Sequence, residues 1–232
     1  MFRESVEFRE WPDATEIVGE SALKFTLVYH GALPACTQSD PRTKDKQQLR
    51  EYFEPQLALL WEAEPVLQRV LSKKNALYAY TMKGGKIQSP DNHSEMHEMV
   101  WLPDMHRANE RTTFYIPLVT RRNGLGCRLD IKFLRPGHPG GVINGGDLDN
   151  RLKTLLDGLR MPHCRSEVKG ATERVNQNFF CLMEDDQLVT DISIATEQLL
   201  MPQSKTKGEV MLTIGVAIHV VRPSEMNRDY RD

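Results

Sequence analysis

Asp147 and Asp149 stand one residue apart where a glycine pair, Gly145-Gly146, hands the chain to an amphipathic segment. Glycine tolerates the backbone angles of a tight turn. An aspartate at a helix start accepts a hydrogen bond from an otherwise unpaired amide of the first turn. Leu148, Leu152, Leu155, Leu156 and Leu159 fall on one stripe at helical spacing, and Pro162 closes the segment. Asp149, Lys153 and Asp157 step along a second face, four residues apart. Two chemistries suit that pattern. In the first, the acids cap the helix and favour the positive end of its dipole. In the second they are ligands: crowded carboxylates repel unless a cation neutralises them, and hard cations such as magnesium take oxygen donors.

A second acidic group, Glu184-Asp185-Asp186, follows the apolar run Phe179 to Met183 and precedes the strand-like Leu188, Val189, Ile192 and Ile194. Such a run is a solvated turn, or it supplies a third carboxylate to the helix start.

Taken together these residues resemble the RusA family of Holliday junction resolvases. That family shows D-x-D-N, a lysine three residues after the Asn, an aspartate four residues further on, and a later D-D-x-x-V. Here Asp147-Leu148-Asp149-Asn150, Lys153, Asp157 and Asp185-Asp186-Gln187-Leu188-Val189 occupy those places. The likeness runs from about Gly145 to Val189. It implies an endonuclease that uses magnesium, or manganese in its place, and acts as a homodimer on branched DNA. Asp147, Asp149 and Asp186 would bind the metal, and Lys153 would be the catalytic lysine. Asn150, Asp157, Glu184 and Asp185 would support them. The short members of the family are about half this length and carry an arginine run before the motif, where this chain has Arg135 and a Pro/Gly-rich loop. The stretch Met161 to Phe180 lengthens the spacer before the second acid group. Two other functions fit the same residues. One is a non-catalytic nucleic-acid-binding or assembly protein of the same fold; the other is a metal-dependent phosphodiesterase with another nucleotide substrate.

Charge sets a condition on any DNA enzyme. The net charge of −2 excludes a protein that coats duplex by bulk attraction, because lysine and arginine supply that affinity. Positive charge must therefore be pooled. Between Arg121 and Arg174 eleven basic residues face six acidic ones, leaving about +5 around the motif. Arg121, Arg122 and Arg151 in this window, with Arg42, Lys44 and Lys46 in a loop after the first strand, are the candidate phosphate contacts.

The 232 residues, 40% of them hydrophobic and 27% charged, describe a soluble globular chain. Four cysteines occur singly (Cys36, Cys127, Cys164 and Cys181), which predicts reduced thiols rather than a zinc or disulfide framework. The charged opening segment has no apolar signal region and no apolar run is long enough to span a bilayer. A cytoplasmic protein without a membrane partner is expected.

Strand patterns cover Ala22–His30, Ala76–Met82, Thr113–Val119, Cys127–Leu134, Phe179–Met183, Gln187–Thr196 and Val210–Val221, the last apolar enough to be central. Asp45–Leu71 reads as a long helix with a kink or a break at Pro55. Thr113–Val119 and Cys127–Leu134 flank the turn Arg121–Gly124 and read as a hairpin. His93 and His97 are spaced for a metal pair on a helix, but their surroundings read as an insertion loop or lid. The expected fold is α+β: a mixed, largely antiparallel sheet packed against a few helices, RusA-like. Residues 1–20 would be a peripheral arm and 21–221 one domain with insertions near 83–111 and 161–178. Residues 222–232 would be a frayed tail.

Overall fold

A computed structural model describes residues 23–35, 42–72, 77–78, 81–83, 86–88, 97–98, 113–121, 123–136, 147–163, 165–168, 177–201, 209–223 and 225–230. In chain order the elements begin with β1 (Leu23–Ala32), α1 (Thr43–Ala63) and α2 (Pro65–Ser72). Four short strands follow: β2 (Leu77–Tyr78), β3 (Thr81–Lys83), β4 (Lys86–Gln88) and β5 (His97–Glu98). Then come β6 (Thr113–Val119), β7 (Leu125–Arg135), α3 (Asp147–Leu159), β8 (Gln177–Met183), β9 (Val189–Gln198) and β10 (Glu209–Val220). Turns of 3-10 helix cover Arg165–Val168, Asp186–Leu188 and Glu225–Tyr230. The arm at 1–20, residues 36–41 of the first loop, the loop 137–146, most of the insertion at 83–111 and half of that at 161–178 lie outside the described residues.

The main sheet has the order β1-β10-β7-β9. β1 and β7 flank β10 antiparallel, and β9 joins β7 in parallel, so the fold is α+β with a mixed, largely antiparallel sheet. β10 is interior, as its apolar sequence requires. β7 shows why period two positions a face. Cys127, Leu129, Ile131 and Phe133 are buried, while Arg128, Asp130 and Lys132 between them are exposed.

α1 lays Leu49, Phe53, Leu57 and Trp61, each four residues apart, against the core. The expected kink or break at Pro55 is not a break. The helix runs through Pro55 and breaks at Glu64, which turns extended (φ −83°, ψ 120°) before Pro65. The buried stripe spans Pro55 and ends at Trp61, so packing holds the helix where it outweighs one lost hydrogen bond.

The expected hairpin is also absent. Gly124, at φ 60°, closes the turn through its amide to the Arg121 carbonyl at 3.0 Å. Beyond it β6 pairs in parallel with β8 in a separate ladder. β7 already has β10 on one side and β9 on the other, so no edge is left for β6. Nor is the end of the chain frayed: Asn227 and Tyr230 are buried, and Asn227 Nδ2 donates to the Asn123 and Arg222 carbonyls at 2.7 Å each. His97 lies on a strand rather than a helix, and His93 is outside the described residues. Cys127 and Cys181 are buried free thiols; burial pushes both up to about 12. Cys36 and Cys164 are outside the described residues. Among the described residues no helix is long and apolar enough to cross a membrane.

α3 crosses α1 closely at Gly158, where an added Cβ would sit 2.6 Å from the Leu49 Cβ. That atom is anchored to the α1 backbone and cannot give way alone. Gly158→Ala gains about 1 kcal/mol of helix propensity. It is nevertheless expected to destabilise by about 1–3 kcal/mol through overpacking, read as a lower midpoint in urea unfolding.

Candidate active site

α3 is seated by its leucines. Leu155 and Leu159 are buried, and Leu148, Leu152 and Leu156 pack at the core margin. Its polar side divides in two. Asp149 and Lys153 are exposed, and among the described residues neither makes a hydrogen bond or ion pair. Asp157, one turn on, is buried between α1 and the end of α3. Its carboxylate meets Lys46 Nζ at 2.7 Å and Arg160 at 2.8 Å. Burial pushes this carboxyl up, but hydrogen bonds and charge from Lys46 and Arg160 outweigh it and the pKa falls. Asp157 is thus a structural anchor, while Asp149 and Lys153 hold nothing in place. Asp147 begins α3, with its side chain outside the described residues. Asn150 lends its carbonyl to the Thr154 hydroxyl at 3.0 Å.

The far end of α3 is locked from below. Arg50 of α1, 2% exposed, donates to the Asp157 and Arg160 carbonyls at 2.8 and 3.0 Å and to Glu167. These are helix-end carbonyls that would otherwise lack donors. Arg160 binds Glu167 in turn, at 3.0 Å. The Met161 amide donates to the Met183 carbonyl at 2.9 Å, so β8 delivers the acidic run Glu184-Asp185-Asp186 to this end of the helix.

Each acid of that run has a separate setting. Glu184 accepts from the Arg121 amide at 3.0 Å. Asp185 caps the 3-10 turn by accepting from the Gln187 amide at 2.9 Å, and lies 3.6 Å from Arg121 and 3.7 Å from His163. Burial raises its pKa, but the Gln187 amide, Asp186, Arg121 and His163 more than offset it, and the pKa falls. Asp186 is raised, by burial first and then by the hydrogen bond and negative charge of Asp185 beside it.

Asp186, Gln187 and residues 189–192 form one side of a groove whose other side is Leu156 of α3. Leu156 and Asp149 are seven residues apart, nearly the same azimuth on the helix and about 10 Å along its axis. Asp186 thus lies beside Leu156, about two turns along α3 from Asp149. Among the described residues no group of three His, Cys, Asp or Glu is placed to hold a metal ion. The donors themselves suit a hard cation: exposed carboxylate oxygens without structural duties, one of them raised by a like-charged neighbour.

The chain was compared with protein-family models, with curated proteins and with solved structures. It matches none of them.

The candidate phosphate contacts divide in the same way as the acids. Lys44 is exposed, but it and Lys46 lie in the first turn of α1 rather than in a loop. Lys46 is tied to Asp157. Arg151 donates to the Leu33 carbonyl, and Arg121 to Gln187 at 2.6 Å. Arg42 has the left-handed φ of 53° and reaches the Ala35 carbonyl at 3.3 Å. Arg122 lies outside the described residues.

The groove residue Thr190 and its neighbour His219 had no sequence signal. The β7–β9 ladder slips at Cys127/Arg128, so that their partners jump from Val189 to Asp191 and Thr190 bulges. Thr190 Oγ1 donates to the Cys127 carbonyl at 3.2 Å, so it accepts from His219 Nε2, also at 3.2 Å. His219 Nδ1 is buried and without a hydrogen-bond partner among the described residues. His219 is held below its usual value of 6.5 by burial and the nearby Arg128, against a smaller opposite pull from the Ala217 carbonyl. Below about pH 6.5 the unfolded chain takes a proton that the folded protein resists, so stability falls with pH there. Urea unfolding at pH 7.5 and 5.5 is expected to show that loss in the wild type and a smaller one in His219→Gln.

Proposed function

We propose that the chain is a magnesium-dependent, structure-selective endonuclease that cuts branched DNA such as a four-way junction. One observation carries the reading. Asp149 and Lys153 are exposed and free of structural partners among the described residues, and Asp186 lines a groove with Leu156, which shares their side of α3 about two turns further on. Charged side chains at a packed element that contribute nothing to packing are candidates for chemistry. Asp147 and Asp149 at the helix start would hold one ion and Asp186, two helical turns along α3, a second, and manganese would serve as well. When bound, the ions supply an activated water and neutralise charge on the phosphate. The chain's own part is to hold the carboxylates on one rigid helix and one capped turn. Lys153, one helical turn from Asp149, is placed to meet charge building on the phosphate oxygens. Asp157 keeps α3 seated, and Asp185, which caps the 3-10 turn through the Gln187 amide, positions Asp186. A homodimer suits a junction, because two strands must be cut symmetrically.

A second reading has its own support. Lys46, Arg121 and Arg151 are engaged within the chain, leaving less free positive surface than the sequence offers. This favours a smaller substrate, as in a metal-dependent phosphodiesterase acting on a nucleotide or on RNA. A panel of four-way junction, flap, linear duplex, single-stranded RNA and cyclic dinucleotide, each with magnesium or manganese, separates the two. Nicking confined to branched DNA supports the first; turnover of the small substrates alone overturns it.

A further inference from the structure

Gln187 lines the groove beside Asp186 and takes no part in holding an ion there. The turn that carries it is fixed. Asp185 accepts from the Gln187 amide at 2.9 Å, and the Leu188 amide donates to the Asp185 carbonyl at 3.2 Å. The Leu188 side chain is buried in the core. Between these anchors Asp186 and Gln187 are both exposed. We propose that Gln187 is a phosphodiester-contacting residue, its carboxamide locked by Arg121 so that the N–H groups donate to a phosphate oxygen in the groove. This rests on the reading of the groove as part of a phosphodiester-cleaving site.

Arg121 decides what Gln187 has to offer. Arg121 Nη2 donates to Gln187 Oε1 at 2.6 Å. A guanidinium carries donors only, so the carboxamide cannot be flipped: its oxygen faces Arg121 and its NH2 group is left over. The hold is braced from both sides. The Arg121 amide donates to Glu184 at 3.0 Å, and the Arg121 guanidinium lies 3.6 Å from Asp185. Gln187 Nε2 has no hydrogen bond among the described residues. The side chain thus presents two donors and no acceptor, on a turn whose backbone is already ordered.

A group of that kind selects a partner that only accepts. The non-bridging oxygens of a phosphodiester are such a partner: one can ligate an ion at Asp186 while the other takes a Gln187 N–H. Charge favours the same choice. The guanidinium on Oε1 polarises the amide along the chain of hydrogen bonds, which strengthens its N–H groups as donors to an anion. Arg121, a candidate phosphate contact by sequence, then acts on phosphate through Gln187 and is a positioning residue. The contact is made equally before and during bond breaking, so it serves binding rather than the chemical step.

A probe that needs no cleavage tests this: a thymidine dinucleotide, joined by one phosphodiester, titrated with calcium into the isotope-labelled full chain. The Gln187 side-chain NH2 resonance is identified by its absence in Gln187→Met. It is expected to shift on titration, while acetate at equal ionic strength leaves it in place. A resonance that stays put, or that acetate moves equally, overturns the proposal. Kinetics on the four-way junction give the second readout. Gln187→Met is expected to raise KM about tenfold, with kcat within about twofold and an unchanged melting temperature. Arg121→Met is expected to raise KM in the wild type but to add less than about twofold in the Gln187→Met background. Additive effects would mean that Arg121 meets phosphate by itself, and an unchanged KM in Gln187→Met would remove the contact; either overturns the proposal. The two readings fail separately. A shifted resonance in a chain that cuts nothing keeps the Gln187 contact and sinks the nuclease, whereas nicking with an unmoved resonance does the reverse.

Discussion

Asp149→Asn is expected to lower metal-dependent nicking of a four-way junction by about 10³-fold or more while leaving the metal-free melting temperature unchanged. The size follows from the several kcal/mol that a bound ion contributes to a phosphoryl-transfer transition state, at 1.36 kcal/mol per tenfold. The unchanged melt follows from the side chain's exposure and lack of partners; such substitutions stay within about 0.5 kcal/mol. A metal-induced rise in melting temperature gives a second readout. A divalent ion at 100 times its Kd adds about 2.7 kcal/mol to the wild type, a gain the variant should lose. Asp157→Asn is the control. Its partners are Lys46 and Arg160, so it should lower the melting temperature with or without metal. Full nicking by Asp149→Asn would sink the proposed mechanism, and a substrate panel silent for the wild type would sink the activity.

Arg50→Met carries the largest expected loss of stability. Arg50 makes five hydrogen bonds, to the Asp157, Arg160 and Glu167 carbonyls and to the side chains of Glu167 and Gln47. Methionine fills the volume but leaves helix-end carbonyls and the Glu167 carboxylate short of donors in a buried place. Breaking one partner out of such a network costs about 3–5 kcal/mol. In a chain of this size that is a fall of about 10 °C in thermal melting. Arg50→Lys keeps the charge and should recover little, because an ammonium cannot span three carbonyls with the planar fork of a guanidinium. A melting temperature within 2 °C of wild type would show that the network is worth less than its geometry suggests.

Local patterns were legible wherever a short-range period governs the outcome. The leucine spacing set α3 from Asp147 to Leu159 and its buried side. Alternation set which residues of β7 are buried, and apolar content placed β10 inside the sheet. The same stretch exposed the acids and the lysine of the candidate site, because residue type and spacing are written in one piece of chain. Partner choice was not legible. The turn at Gly124 reads as a hairpin, yet β6 joins β8, since the space beside β7 is filled by β9 and β10 from later in the chain. Pro55 reads as a kink or a break, yet the helix is not broken there, because the stripe packed across it comes from tertiary burial. Lys46 and Asp157 read as surface charges more than a hundred residues apart, and the α1–α3 contact alone makes them a buried pair. The primary structure by itself determined the chemical vocabulary and the faces of single elements. Only the tertiary structure decided which acids are free to act, which are spent on structure, and how far along α3 Asp186 comes to rest. Those outcomes depend on contacts between distant segments, which no local period encodes.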